Sequence, residues 1–368
     1  MNRSIFLVFA LIVQILNIDL FLYQFVSALL LLSSQVRMSL SRFSLAILIL
    51  ASFYLFIKLF GPSEYSVISS FNHFVLFIFL VYLRFVSYEV ISNFIVKIAC
   101  ISVPVSIVLS LLYLNGLYDG FHTSEVLFWI ERLYFLFNEP AHYGIFLSFA
   151  LMYSIFLNKR FSSFVILLGL VMTFSFVSFL LFFGLYIIFF IGLKVFNWKS
   201  ILVVFVIVVL FYLSFLNIDF LNHKINDLLS AVAGEARLTS AFVRLESAYM
   251  GFHFLVDTFQ NNFSYFILGV PDSESWIKSY YLTLYNLEAK TASTFNIITG
   301  LVLESGILGL SIIILLLIKK SLIYKVGYLP VLLSFILFSF TNGYAFGPLA
   351  MFFFLLYFLL IDIYAHKK

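Results

Sequence analysis

Two arginines seven residues apart are the first feature with chemical weight: Arg237 and Arg244 in Arg-Leu-Thr-Ser-Ala-Phe-Val-Arg. On a helix they share one face, about 10 Å apart along its axis. They fall on a stripe with Ser240, Ser247 and Gly251, beside an apolar stripe of Leu238, Phe242, Leu245, Tyr249, Phe252, Val256 and Phe259. Both stripes recur at spacings of three and four, the pattern of an amphipathic helix. Two permanent cations so placed can clamp a phosphate bidentately. The same pattern suits a surface helix whose arginines meet lipid headgroups.

Glu139 is the candidate base. It precedes Pro140, which disfavours helix at the residue before it and suits the first turn of a helix that follows. A carboxylate there can take a proton if desolvated, or can cap the amides of the helix start. His142 and Tyr143 follow at once, and Arg132 lies seven residues earlier. Asn296 and Glu304 open a later apolar run, about 12 Å apart along a helix axis. A carboxylate inside such a run is costly enough to read as functional, although it can also satisfy a neighbouring helix. His73, His122, His142, His223, His253 and His366 are scattered, with no zinc-type pair and third ligand. No Walker loop or dinucleotide fingerprint occurs, so no metal or cofactor is expected. The basic residues are dispersed, which argues against a nucleic-acid partner.

These groups need a frame, and composition says what kind. Of 368 residues 64% are hydrophobic and 10% charged, whereas soluble globules run near ~25% charged. The chain reads as an all-α polytopic membrane protein whose expected partner is the lipid bilayer. The lone Cys100 excludes a disulfide framework. No small-residue cleavage site follows the N-terminal apolar run, which is expected to remain.

By the length rule for spanning helices, Ser4–Ser34 reads as a tight hairpin or one tilted helix. Further spans fall at Ser41–Phe60, Phe71–Arg84, Phe94–Leu114, Ala141–Leu157, Phe161–Val177, Ser178–Leu193, Ser200–Leu216, Phe295–Ile318, Val326–Thr341 and Tyr344–Tyr364, giving about twelve helices. The organisation is then a bundle over 1–216 with an external loop at 115–140, a large loop over 217–294, and C-terminal spans over 295–368. Two thirds of the 21 basic residues fall on one side of this threading. The excess of Lys and Arg in short connections puts both termini in the cytoplasm and both polar loops outside. The polar residues cluster in two unequal external loops without internal symmetry, which counts against a transporter.

The motifs resemble the O-antigen polymerase (Wzy-type) family of bacterial surface polysaccharide assembly, related to the O-antigen ligases. They are Phe137-Asn138-Glu139-Pro140-Ala-His-Tyr-Gly144 opening a helix, a large late loop, and an exit running from Ser293 to Gly309. Glu139-Pro140 matches the family pattern, with Ala141 in place of a serine. Arg244 and Gly269 match the loop, and Asn296, Glu304, Gly306 and Gly309 match the exit. Phe295 stands where ligases carry a catalytic histidine, and phenyl cannot transfer a proton, so polymerase is favoured over ligase. The resemblance implies a metal- and nucleotide-sugar-independent glycosyltransferase at the periplasmic face of the bacterial inner membrane. It would move a glycan from undecaprenyl diphosphate to another lipid-linked repeat unit, with a chain-length regulator protein as a further expected partner. Glu139 and Arg244 are the expected catalytic pair. Arg237, Arg132, His142, Tyr143, Asn296 and Glu304 are the expected substrate contacts. A ligase or a non-enzymatic flippase is the alternative.

Overall fold

The computed structural model describes residues 42–60, 67–82, 88–115, 126–127, 130–131, 137, 140–173, 175–192, 226, 240–286, 296–323, 327–340 and 348–367. The apolar helices among them are α1 (Arg42–Phe60), α2 (Val67–Tyr82), α3 (Tyr88–Leu114), α4 (Pro140–Phe156), α5 (Arg160–Met172) and α6 (Phe176–Gly192). Three helices of the large loop follow: α7 (Ser240–Asn261), α8 (Phe263–Leu268) and α9 (Ser273–Tyr285). The chain then builds α10 (Ile297–Ile323), α11 (Tyr328–Ser339) and α12 (Pro348–Lys367). One minimal antiparallel ladder, Val126–Leu127 against Ile130–Glu131, lies between α3 and α4.

The helical membrane architecture is therefore present, but the count of about twelve spans is not reproduced. Among the described residues three helices are long and apolar enough to cross a membrane: Tyr88–Leu112, Ile297–Leu322 and Leu349–Lys367. Six more apolar helices are shorter. The length rule counts apolar residues whether or not they are helical. The expected span Phe161–Val177 in fact stops at Met172, and α5 has 13 residues. At 1.5 Å per residue that is about 20 Å, short of a ~30 Å hydrocarbon layer. The first hairpin and Ser200–Leu216 lie outside the described residues.

Polar pins hold the helices in register. At one end of the bundle Lys319 donates to Ser44, tying α10 to the start of α1. Lys320 pairs with Asp362 at 2.6 Å and lies over the Phe358 ring, tying α10 to α12. His366 stacks on Tyr88 at 4.4 Å between centroids, and Lys159 donates to Asn93. Toward the opposite end Lys58 reaches Glu304, so α1 and α10 run antiparallel and are pinned twice. Between the pins, packing is apolar and aromatic around α12, in which every residue from Ala350 to Tyr364 is buried. Tyr357 stacks on Phe338 of α11 and donates to the Val331 carbonyl at 2.7 Å.

The α5–α6 turn is buried, and its polar groups are answered inside the protein, as apolar surroundings require. Thr173 Oγ1 donates to the Leu170 carbonyl at 2.7 Å, and Ser178 Oγ reaches Ser175 Oγ at 2.8 Å and the Ala141 carbonyl at 3.2 Å. Gly144 permits this approach, because a Cβ there would lie 2.3 Å from Ser178 Oγ.

Candidate functional site

The loop helices meet the bundle at α10. This helix is broken at Gly306, where φ is 64° and ψ −168°, a region open essentially to glycine. The break frees carbonyls that would otherwise be orphaned in apolar surroundings. Val270 N–H donates to the Leu303 carbonyl at 2.7 Å, and Lys58 Nζ donates to the Glu304 carbonyl at 2.6 Å. The ammonium also sits at the negative end of the first half-helix, where a cation is stabilising. Gly269, with φ 80°, is pressed against the break: a Cβ there would lie 2.5 Å from Leu303 O.

The start of α10 is capped by Asn296, whose Oδ1 accepts from Ile298 N at 2.9 Å and Thr299 N at 3.3 Å. One turn in, Thr299 Oγ1 donates to the Ser247 carbonyl of α7 at 2.5 Å. Gly251 makes the crossing possible, since a Cβ there would come within 2.7 Å of Thr299 Oγ1. The Ser247–Gly251 stripe is thus the packing face of α7. Arg244 lies within α7 one turn before Ser247. Of the apolar stripe, Tyr249, Phe252, Val256 and Phe259 stay exposed.

Glu304 faces α1 and α2. Its Oε2 lies 3.5 Å from Nε2 of the buried His73, whose Nδ1 is 2.7 Å from the Tyr54 hydroxyl. A histidine protonated on Nε2 satisfies both contacts, donating to the carboxylate and accepting from the phenol. The Glu304 side chain keeps 35% of its surface accessible, while Lys58 and His73 are 3% and 1% exposed. Asn296 therefore caps its own helix, while Glu304 faces α1 and α2. Sequence reading missed Tyr54, Lys58 and His73 as a group. The available signal was two ionisable residues inside apolar helices, which rarely occur there without a task.

His142 and Tyr143 sit in the first turn of α4. The Tyr143 hydroxyl is 2.8 Å from Ser102 Oγ of α3, and the His142 ring lies 6.0 Å from that of Phe353. Glu139, Arg132 and Arg237 lie outside the described residues.

The loop helices and residues Val302 and Leu303 of α10 share a second small core, with Phe254 edge-on to Trp276 and Trp276 stacked on Tyr280. Tyr280 donates to Glu246 of α7. Burial first, then Glu246, pushes the Tyr280 and Tyr281 phenols above their ordinary value, and Tyr285 is pushed up to about 12 by the same causes. At the start of α9, Asp272 accepts from Ser275 N at 3.1 Å and Ser275 Oγ at 2.6 Å. Those bonds, the hydroxyl's first, hold its carboxyl below the usual range. Among the described residues no cluster of three or more His, Cys, Asp and Glu could hold a metal ion. Comparison with protein families, curated proteins and solved structures brought no match.

Proposed function

We propose that the chain is a membrane glycosyltransferase that polymerises lipid-linked oligosaccharides, with the large loop on the periplasmic side and the termini in the cytoplasm. The observation that carries this reading is the seating of α7 on the first half of α10. It sets residue 244 one turn from the Ser247–Thr299 crossing, beside the capped start of a broken apolar helix. A cation there is well placed for a lipid diphosphate at the membrane boundary. In the proposed step an acceptor-sugar hydroxyl forms a bond to the anomeric carbon of the donor glycan. The bond from that carbon to the diphosphate oxygen breaks, and lipid diphosphate leaves with the electron pair. Glu139 takes the hydroxyl proton, while Arg244 and Arg237 stabilise the charge that develops on the leaving group. Arg132, His142, Tyr143, Asn296 and Glu304 are the proposed substrate contacts.

A second reading has its own observation. A broken helix and the ionisable trio Lys58, His73 and Glu304 in apolar helices are features that transporters use. A flippase for lipid-linked oligosaccharides is therefore the competitor. The test incubates purified protein with lipid-linked repeat units in detergent and resolves products by size. A ladder of polymer is expected, lost in Arg244→Ala, weakened in Arg237→Ala and lost in Glu139→Gln. No ladder, combined with transbilayer movement of the same lipid in liposomes, overturns the polymerase in favour of the flippase.

A further inference from the structure

Helix α7 has three faces, not two. Ser247, Gly251, Phe254 and Thr258 are buried, toward α10 and the loop core. A second face, also spaced by three and four, runs Tyr249, Phe252, Val256, Phe259 and continues to Phe263 of α8; these are 55%, 65%, 43%, 60% and 59% exposed. A third is polar: Glu246 and His253 on it meet Tyr280 of α9, while Asp257, bonded to the exposed Asn261, and the exposed Gln260 form its open edge. A helix in water packed on a protein needs a buried face and a polar one. An exposed apolar face beside both calls for a third medium.

Its level in the fold says which medium. The α8 segment is docked on residues 303–306 of α10, through the Val270–Leu303 bond and the contact of Ile267 with Gly306. The Lys58 end of α1 reaches the same stretch of α10 through the Glu304 carbonyl. Phe56 and Phe60 of α1 are 58% and 74% exposed there, on the outside of an apolar helix. The rings of Phe259, Phe263 and Phe266 knit the α7–α8 corner at 5.3–6.1 Å between centroids. The α7–α8 corner and the exposed end of α1 thus flank one level of α10, and the apolar face of α7 lies where an apolar helix ends, as an interfacial helix does.

We propose that α7 lies in the membrane interface. Its Tyr249–Phe263 face is immersed in the lipid of the leaflet at the Lys58 end of α1, and its Asp257–Asn261 edge is in water. The loop is then lipid-anchored, and residue 244 is carried at headgroup depth. This inference rests on the placement of the helices and stands whether or not the protein is a polymerase.

The test uses the full chain in phospholipid nanodiscs, with Cys100→Ser as background and nitroxide labels at Phe252→Cys, Phe259→Cys, Asp257→Cys and Gln260→Cys, one at a time. Oxygen should relax labels at 252 and 259 several-fold more than a water-soluble nickel chelate does, with the order reversed at 257 and 260. Equal nickel access at all four positions places the helix in water and overturns the proposal. Low access to both reagents at 252 and 259 means protein covers the face, and overturns it too. Hydroxyl-radical footprinting of the unsubstituted chain gives the same reading without cysteine variants. Phe252 and Phe259 should be protected in nanodiscs; free labelling of both phenylalanines contradicts lipid immersion.

Discussion

Gly306→Ala tests the junction between loop and bundle most sharply. The backbone there has φ 64° and ψ −168°, a conformation whose cost to a residue with a side chain is about 1–3 kcal/mol. The added Cβ would stand 2.2 Å from the Ile267 carbonyl oxygen, 2.3 Å from its carbon and 2.6 Å from Gly269 N. All three are backbone atoms, so no rotamer change relieves the overlap, and α8 must move away. That movement breaks the Val270–Leu303 bond and leaves a carbonyl unanswered, at about 1–3 kcal/mol more. The expected loss is on the order of 2–6 kcal/mol. Gly327→Ala is the control, since its φ is −58° and its Cβ would meet nothing nearer than Pro330 Cδ at 3.5 Å. Stability is read by titrating detergent-solubilised protein with a denaturing detergent, and the junction by amide exchange at Val270. The reasoning fails if Gly306→Ala unfolds with the wild type and Val270 keeps its protection.

Removing one member of the buried Lys320–Asp362 pair, as Lys320→Met or Asp362→Leu, should destabilise by about 3–5 kcal/mol, because the other charge is left unanswered; the double variant should regain most of it. Additive losses in that cycle would show that the pair is not coupled. Asp272→Ala should cost about 0.5–2 kcal/mol as a lost N-cap. Because its carboxyl is held below the usual range, its contribution is full above the unfolded pKa and disappears as pH falls through the lower folded value. A wild-type minus Asp272→Ala difference that stays flat on acidification contradicts this. Tyr285, raised to about 12, makes a contribution that is full below the unfolded value of about 10 and is lost as pH rises through the folded one. Glu246→Gln should bring the phenol titration, followed by ultraviolet absorbance, to lower pH, and an unmoved curve would refute the role of that carboxylate.

Spacing made α7 legible, because a run at three and four with polar and apolar stripes has few other solutions. Its orientation was not legible, since only the bundle decides which stripe is buried. Small residues at 247 and 251 let two backbones approach, and that advantage outweighs the hydrophobic pull on Phe252 or Phe259 when lipid is an alternative to burial. The two apolar runs Phe161–Val177 and Ser178–Leu193 were legible, but the first helix ends at Met172 and the second begins at Phe176, earlier than expected. The serine and threonine contacts that hold the turn inside the protein come from residues 141 and 144, distant in the chain. Asn296 read as an opening residue and is an N-cap. Glu304 was noticed for its cost, but its partners Lys58 and His73 stand 246 and 231 positions earlier, where spacing carries no information.

The burial of α12 bears on how the protein is made. A ribosome delivers helices to the membrane in chain order, so α1 to α11 are in place before α12 exists. Yet α12 is buried from Ala350 to Tyr364 against the apolar helices, and Asp362 on it answers Lys320. Until it emerges, the other helices lack that partner and one of their lysines lacks its acid. A premature stop before Pro348 should therefore leave a bundle without this packing and with Lys320 missing its acid, a chain marked for degradation.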